Sequence, residues 1–213
     1  LFLDIPTPTR RLKGEPSGRP LGTILRQPRT LVAVICAMVS YALMVLVMTS
    51  TSLAMDGNGF STSQAADVVR WHVIAMFAPS FFTGSVILRL GHLPVIALGL
   101  VLLGASGLIA ISGVELGHFY VALIALGLGW NLGFIGSTSL LGTSHTAEER
   151  AKIQGLNDFF IFGLVAFTSF ISGALLHGYG WATVQLAMVP ALVIAGTALV
   201  WLAVESRRFS RAS

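Results

Sequence analysis

Charge is scarce in this sequence. The 13 Lys and Arg and 9 Asp and Glu make up 10% of its 213 residues, against about 25% in a soluble domain. With 54% hydrophobic residues and a mean hydropathy of +0.82, the chain cannot coat a soluble globule with polar surface. Cysteine is nearly absent. Cys36 alone excludes an internal disulfide framework, a cysteine-based zinc site and an iron–sulfur cluster. Its apolar surroundings read as packing of a small hydrophobe. No metal and no cofactor is expected. Alternating β patterns are absent too, which argues against an outer-membrane barrel. So is a signal peptide, since residues 1–30 lack an apolar core of about 7–15 residues. The chain begins at Leu1, and the expectation is that it is cut from something longer.

What is present is a series of apolar blocks. Six are long enough to cross roughly 30 Å of hydrocarbon, which takes about 20 residues. They run over about 31–55, 65–88, 93–111, 118–141, 153–176 and 181–204. The expected fold is an all-α membrane protein with six transmembrane helices, its solvent mostly the lipid bilayer. Glycine, at 23 residues, fits that setting, being more frequent in membrane helices than in soluble ones.

Basic residues in short loops set orientation. Arg10, Arg11, Lys13, Arg19, Arg26 and Arg29 precede the first block. Arg89 lies in the second loop, Arg150 and Lys152 in the fourth, and Arg207, Arg208 and Arg211 in the tail. The alternate loops carry none, and Arg70 lies inside the second block. Residues 1–30 therefore read as a basic cytoplasmic linker and 205–213 as a cytoplasmic tail. Topology accounts for the basic pI, so no nucleic-acid partner is expected. Pro6, Pro8, Pro16 and Pro20 keep the linker irregular. Residues 21–29 fit either a short interfacial helix, with Leu21, Ile24 and Leu25 on one face, or a solvated linker.

Polar side chains inside membrane spans are costly and often functional. Asn131, 13 residues past His118, lies roughly 20 Å along the fourth helix, and Tyr41 about 15 Å in from Leu31. With Trp130 they combine flat apolar faces and polar tips, which suits the wall of a cavity for a small organic solute. An interhelical hydrogen bond from Asn131 and space filling by Trp130 explain them equally well. Arg70 is expected to pair with Asp67 three residues earlier. His72 is a cavity candidate able to exchange protons near neutral pH, although a hydrogen-bonded structural histidine is the plainer reading. Asp158, six residues past Lys152, is the acid inside a span on the basic side. It fits either an inner-gate ion pair, with Arg89 the favoured partner and Arg150 the other, or a carboxylate that loads a coupling proton.

Small residues recur at packing distances, as in Gly129-xxx-Gly133, a spacing that lets helices approach closely. Gly127-x-Gly129 is no dinucleotide fingerprint, because Leu132 takes the last glycine's place and no strand precedes it. Gly104-Ala105-Ser106-Gly107 matches the G-x-S-G pattern of rhomboid-like intramembrane serine proteases, with His118 and His177 downstream. No histidine has an asparagine four residues on, and Ser106 reads as packing. Proteolysis therefore ranks behind a structural or assembly role.

Gly84-Ser85-Val86-Ile87-Leu88-Arg89-Leu90-Gly91-His92 resembles the G-x-x-x-D-R-x-G-R loop of the major facilitator superfamily, at the place of its second copy. Leu88 replaces the acid and His92 the last base. Glu148-Glu149-Arg150 with Gln154-Gly155 resembles that superfamily's charged loop between helices ten and eleven. The stretches Trp71 to Gly84, Gly129-Trp130-Asn131 and Asn157-Asp158-Phe159 look like a bacterial permease branch of it. The resemblance covers residues 21 to 205 and implies the C-terminal half of a twelve-helix secondary transporter in a bacterial inner membrane, not an enzyme. It further implies a missing N-terminal six-helix half as partner, and a small-molecule path between the halves opened by alternating access. Arg89, Glu149, Arg150 and Asp158 would then belong to an inner gate or to proton coupling.

Overall fold

A computed structural model of the chain describes residues 18–212. The expectations for residues 1–17, with Arg10, Arg11 and Lys13, lie outside the described residues, as does the last residue of the tail. Among the described residues every regular element is helical. Five helices are long and apolar enough to cross a membrane: Pro28–Gly57, His92–Ser112, Leu116–Gly142, Arg150–Tyr179 and Trp181–Arg208. A bent pair, Thr62–Phe77 and Ser80–Leu90, makes a sixth if taken as one span.

Local chemistry sets the ends. Helix α1 (Leu21–Leu25) is short, and Pro28 opens α2 (Pro28–Gly57) at its first turn, where a missing N–H costs nothing. Helix α3 (Thr62–Phe77) starts on a capping box. The Ser61 hydroxyl accepts from the Gln64 N–H at 3.3 Å, and the Ser61 N–H donates to Gln64 Oε1 at 2.9 Å. Pro79 ends α3, and α4 (Ser80–Leu90) leaves at 41°. Gly91, at φ +86°, turns the chain into α5 (His92–Ser112), a conformation that favours glycine. His92 then bonds Ser139 Oγ through Nε2 at 3.2 Å.

The fourth apolar block is one continuous rod of three parts. They are α6 (Leu116–Trp130), a π-helical turn at Asn131–Ile135, and α7 (Gly136–Gly142). Helix α8 (Arg150–Tyr179) follows, then α9 (Trp181–Leu186) and α10 (Met188–Ala212). Helix α2 is the hub, packed against α3, α6, α7, α8 and α10. Helix α5 crosses the rod where Gly99 meets Gly129 and Gly133. A Cβ on Gly99 would lie 2.7 Å from Gly133 Cα and 2.9 Å from the Gly129 carbonyl oxygen, so the Gly129–Gly133 pair serves close packing. Helix α8 is tied to α2 by the paired hydroxyls of Ser50 and Ser172, and Ser172 Oγ also donates to the Leu46 carbonyl at 2.6 Å. Its remaining surface is open, with Phe159, Phe162, Phe167 and Phe170 exposed.

The segment ahead of α2 carries the short helix α1 and touches the bundle at two points. Ile24 is fully buried, and Arg19 docks on the loop between α7 and α8. Ile24 and Arg19 thus tether the segment to the bundle, while Pro20, Leu21, Gly22, Thr23 and Arg26 remain exposed.

Candidate functional site

Two groups of side chains stand out as candidates. The first is an aromatic wall near the middle of the bundle. Tyr41 of α2 meets Trp130 edge-on with ring centres 5.6 Å apart, Phe134 at 5.2 Å and Phe162 of α8 at 6.1 Å. Trp130 stacks on Phe134 at 5.2 Å with planes 13° apart, and Phe77 closes on Trp130 at 6.0 Å. These are favoured aromatic geometries. Phe77 and Phe162 are 56% and 57% exposed, so the cluster opens on the side where α3 and α8 are uncovered. The Trp130 Nε1–H is buried without a partner. The sequence pointed to Tyr41 and Trp130. It did not point to Phe77, Phe134 and Phe162, because phenylalanine is common in every span and only the fold shows which ones converge.

Asn131 stands behind this wall rather than on it. It is fully buried. Its amide donates to the Met76 carbonyl and to Ser80 Oγ, both at 2.7 Å, and its oxygen accepts from Thr83 Oγ1 at 2.6 Å. Those partners flank the break at Pro79. A proline-broken helix leaves backbone carbonyls without their usual donor, and a neighbouring helix must supply one. Asn131 does so, through interhelical hydrogen bonds. His72 is likewise enclosed, with Nδ1 2.8 Å from the Leu123 carbonyl. Arg70 pairs with Asp67 at 2.5 Å, as its spacing implies, and the Tyr120 hydroxyl donates to the other Asp67 oxygen at 2.6 Å. Ser106 is buried, its hydroxyl donating to the Leu103 carbonyl of its own helix at 2.7 Å.

The second group lies at the end of the bundle where α2 begins and α10 ends. Arg19 grips Glu149 with two guanidinium bonds, Nε to Oε1 and Nη2 to Oε2, each 2.8 Å. The Arg19 N–H adds a bond at 2.9 Å and the Thr146 N–H one at 3.1 Å. Gly18, at φ +72°, lets the backbone pass, since a Cβ there would lie 2.6 Å from Glu149 Cγ. The Arg19 hydrogen bonds, first, and the backbone N–H bonds after them hold the Glu149 carboxyl far below the usual carboxylate range. Such donors favour the charged form. The sequence had assigned Glu149 to the gate without seeing Arg19, a partner 130 residues away. Arg89 and Arg150 are exposed, and no ion pair joins Arg89 to Asp158. Asp158 instead sits at a small polar pocket with Asn157, whose Nδ2 donates to it at 3.4 Å.

Residues 13–213 match the family model described as Major Facilitator Superfamily. The riboflavin transporter RfnT of Brucella anthropi is 52% identical over 178 residues, covering 84% of this chain and 45% of that protein. The uncharacterized MFS-type transporter YdeG of Bacillus subtilis is 34% identical over 145 residues, covering 67% of this chain and 34% of that protein. The chain thus spans about half the length, or less, of the curated relatives it matches. No solved structure matches it.

Proposed function

Because this chain belongs to the major facilitator superfamily and is an integral membrane protein, we propose that it forms the C-terminal six-helix half of a secondary transporter for a flat heteroaromatic solute of the riboflavin type. The aromatic wall carries this reading. Tyr41, Trp130, Phe134, Phe77 and Phe162 come from four helices and converge on one open face. A fused aromatic ring system stacks on such a face, at about 0.5–1.5 kcal/mol for each good ring pair. The relative named for riboflavin transport supports that substrate class.

The partner is an N-terminal six-helix half, covering the exposed Phe81 and Phe82 of α4 and the exposed phenylalanines of α8. Solute passes between the two halves as they rock. The membrane is a bacterial inner membrane, and the basic end of the bundle faces the cytoplasm. There Arg89, Glu149, Arg150 and Asp158 belong to the inner gate, with Asp158 the carboxylate open to a coupling ion.

The test is riboflavin binding by fluorescence quenching, using protein made from the full reading frame that encodes this chain. Phe162→Ala should weaken binding by roughly 5–10-fold, the loss of one ring contact at about 1.4 kcal/mol per decade. Phe170→Ala, on the same helix but outside the cluster, should leave it unchanged. Equal effects from the two variants, or no saturable binding, would overturn the assignment.

A further inference from the structure

We propose that the polar pocket between the end of α7 and the first turns of α8 binds one alkali cation, sodium being the class representative, with Asp158 and Asn157 as its principal ligands. The pocket has a volume of ≈ 90 Å³ and is lined by Thr138, Leu141, Gly142, His145, Gln154, Asn157 and Asp158. That is room for an ion with part of its water shell and too little for an organic solute.

Three observations point to positive charge. Asn157 is only 4% exposed, and its Oδ1 has no hydrogen-bond partner. A buried carbonyl oxygen left bare costs free energy until a donor or a cation meets it. Next to it the Asp158 carboxylate receives a long 3.4 Å bond from the Asn157 amide. Leu141 and Gly142 close the C-terminal end of the α6–α7 rod, the end that carries partial negative charge.

The ligand chemistry narrows the class. Asp158, Asn157, Thr138 and Gln154 offer hard oxygens, which suit alkali and alkaline-earth ions over soft metals. One carboxylate among neutral oxygens balances a single charge. Among the described residues no three His, Cys, Asp or Glu side chains gather around a common point, as a tight divalent or transition-metal site would need. The Thr138 hydroxyl donates to its own helix at the Phe134 carbonyl, 3.0 Å away, which leaves its lone pairs free to face an ion. An ion held here joins α7 to α8 about one helical turn along α8 from Phe162. Resting on the transport reading, this gives the coupling ion its place.

The experiment uses the full-reading-frame protein, purified and held at constant pH and ionic strength. Binding of radiolabelled sodium is measured against choline, with riboflavin binding titrated in parallel on the same preparation. Saturable sodium binding is expected, weakened about tenfold or more by Asp158→Asn and kept by Asp158→Glu. Asn157→Ala should weaken it as well. A folded Asp158→Asn variant shows itself by an unchanged elution volume. Sodium binding absent from the parent protein, or equal in Asp158→Asn, would overturn the site. Sodium binding without flavin binding would sink the solute assignment and leave this one standing, and the reverse holds equally.

Discussion

Gly99→Ala tests the helix packing where it is tightest. A Cβ on Gly99 would sit 2.7 Å from Gly133 Cα and 2.9 Å from the Gly129 carbonyl oxygen. Ordinary carbon contacts begin near 3.5 Å, and the Gly133 backbone nitrogen would lie closer still, so α5 and the α6–α7 rod would have to part by at least about 0.8 Å. Both obstacles are backbone and cannot turn aside as a side chain would. Overpacking costs about 1–3 kcal/mol, and a backbone clash belongs at the upper end. Alanine recovers about 0.5–1 kcal/mol through its better helix propensity, leaving a net loss of about 2 kcal/mol. At about 2–4 °C per kcal/mol for a chain of this size, Tm should fall by about 4–8 °C. Gly163→Ala is the control, because nothing lies within 4 Å of a Cβ there. It should gain up to about 1 kcal/mol from propensity alone. Thermal unfolding in detergent, followed by tryptophan fluorescence, reads both. A Gly99→Ala protein as stable as the parent, or two variants shifting alike, would refute the packing argument.

Three further outcomes are expected. Asn131→Ala should lower folded yield and stability by about 1–3 kcal/mol, since it strips the donor from a buried carbonyl at the Pro79 break. Riboflavin affinity in the surviving protein should change little, and a large affinity loss at unchanged stability would return Asn131 to the cavity. The Arg19–Glu149 grip should be sensitive to acid. The carboxyl titrates lower in the folded protein than the usual value of about 4.3, so its stabilisation is complete above that value and fades as pH falls below it. Glu149→Gln should therefore flatten the acid limb of a stability–pH curve and leave the neutral region flat; an unchanged acid limb would show that the grip contributes nothing. A topology reporter inserted at Gly57 should face the periplasm and one fused after Ser213 the cytoplasm, and the same side at both sites would contradict the six-span arrangement.

The broad architecture is legible in the sequence because lipid permits little else. A long apolar run must satisfy its own backbone, and only a helix does that within one segment. The interruptions are less legible. Pro79 marks a break, but not its 41° angle, which depends on what Asn131 offers across the gap. The π turn at Asn131–Ile135 leaves no mark in hydropathy, since a wider turn changes the spacing of the side chains and not their polarity. Arg19 and Glu149 each look like ordinary loop charges, and only the fold brings them together across 130 residues. The candidate sites divide the same way. Tyr41, Trp130 and Asp158 stand out as costly residues in a membrane. Phe77, Phe134 and Phe162 are chosen by convergence alone, and the unpartnered oxygen of Asn157 becomes visible only once its neighbours are counted.

The bond between Asn131 and the Met76 carbonyl has a consequence for the order of assembly. The two residues are 55 positions apart in the chain. At about 5–20 residues per second, a ribosome takes roughly 3–11 s to travel from one to the other. Through that interval the bent segment has already been made, while the side chain that stabilises its break has not. The nascent bend therefore has to be sheltered by the insertion machinery, by water, or by a temporary straightening of the two helices. Its final angle is set late, when the α6–α7 rod arrives. A slow codon stretch between the two positions would lengthen the vulnerable period without altering a single residue of the finished protein.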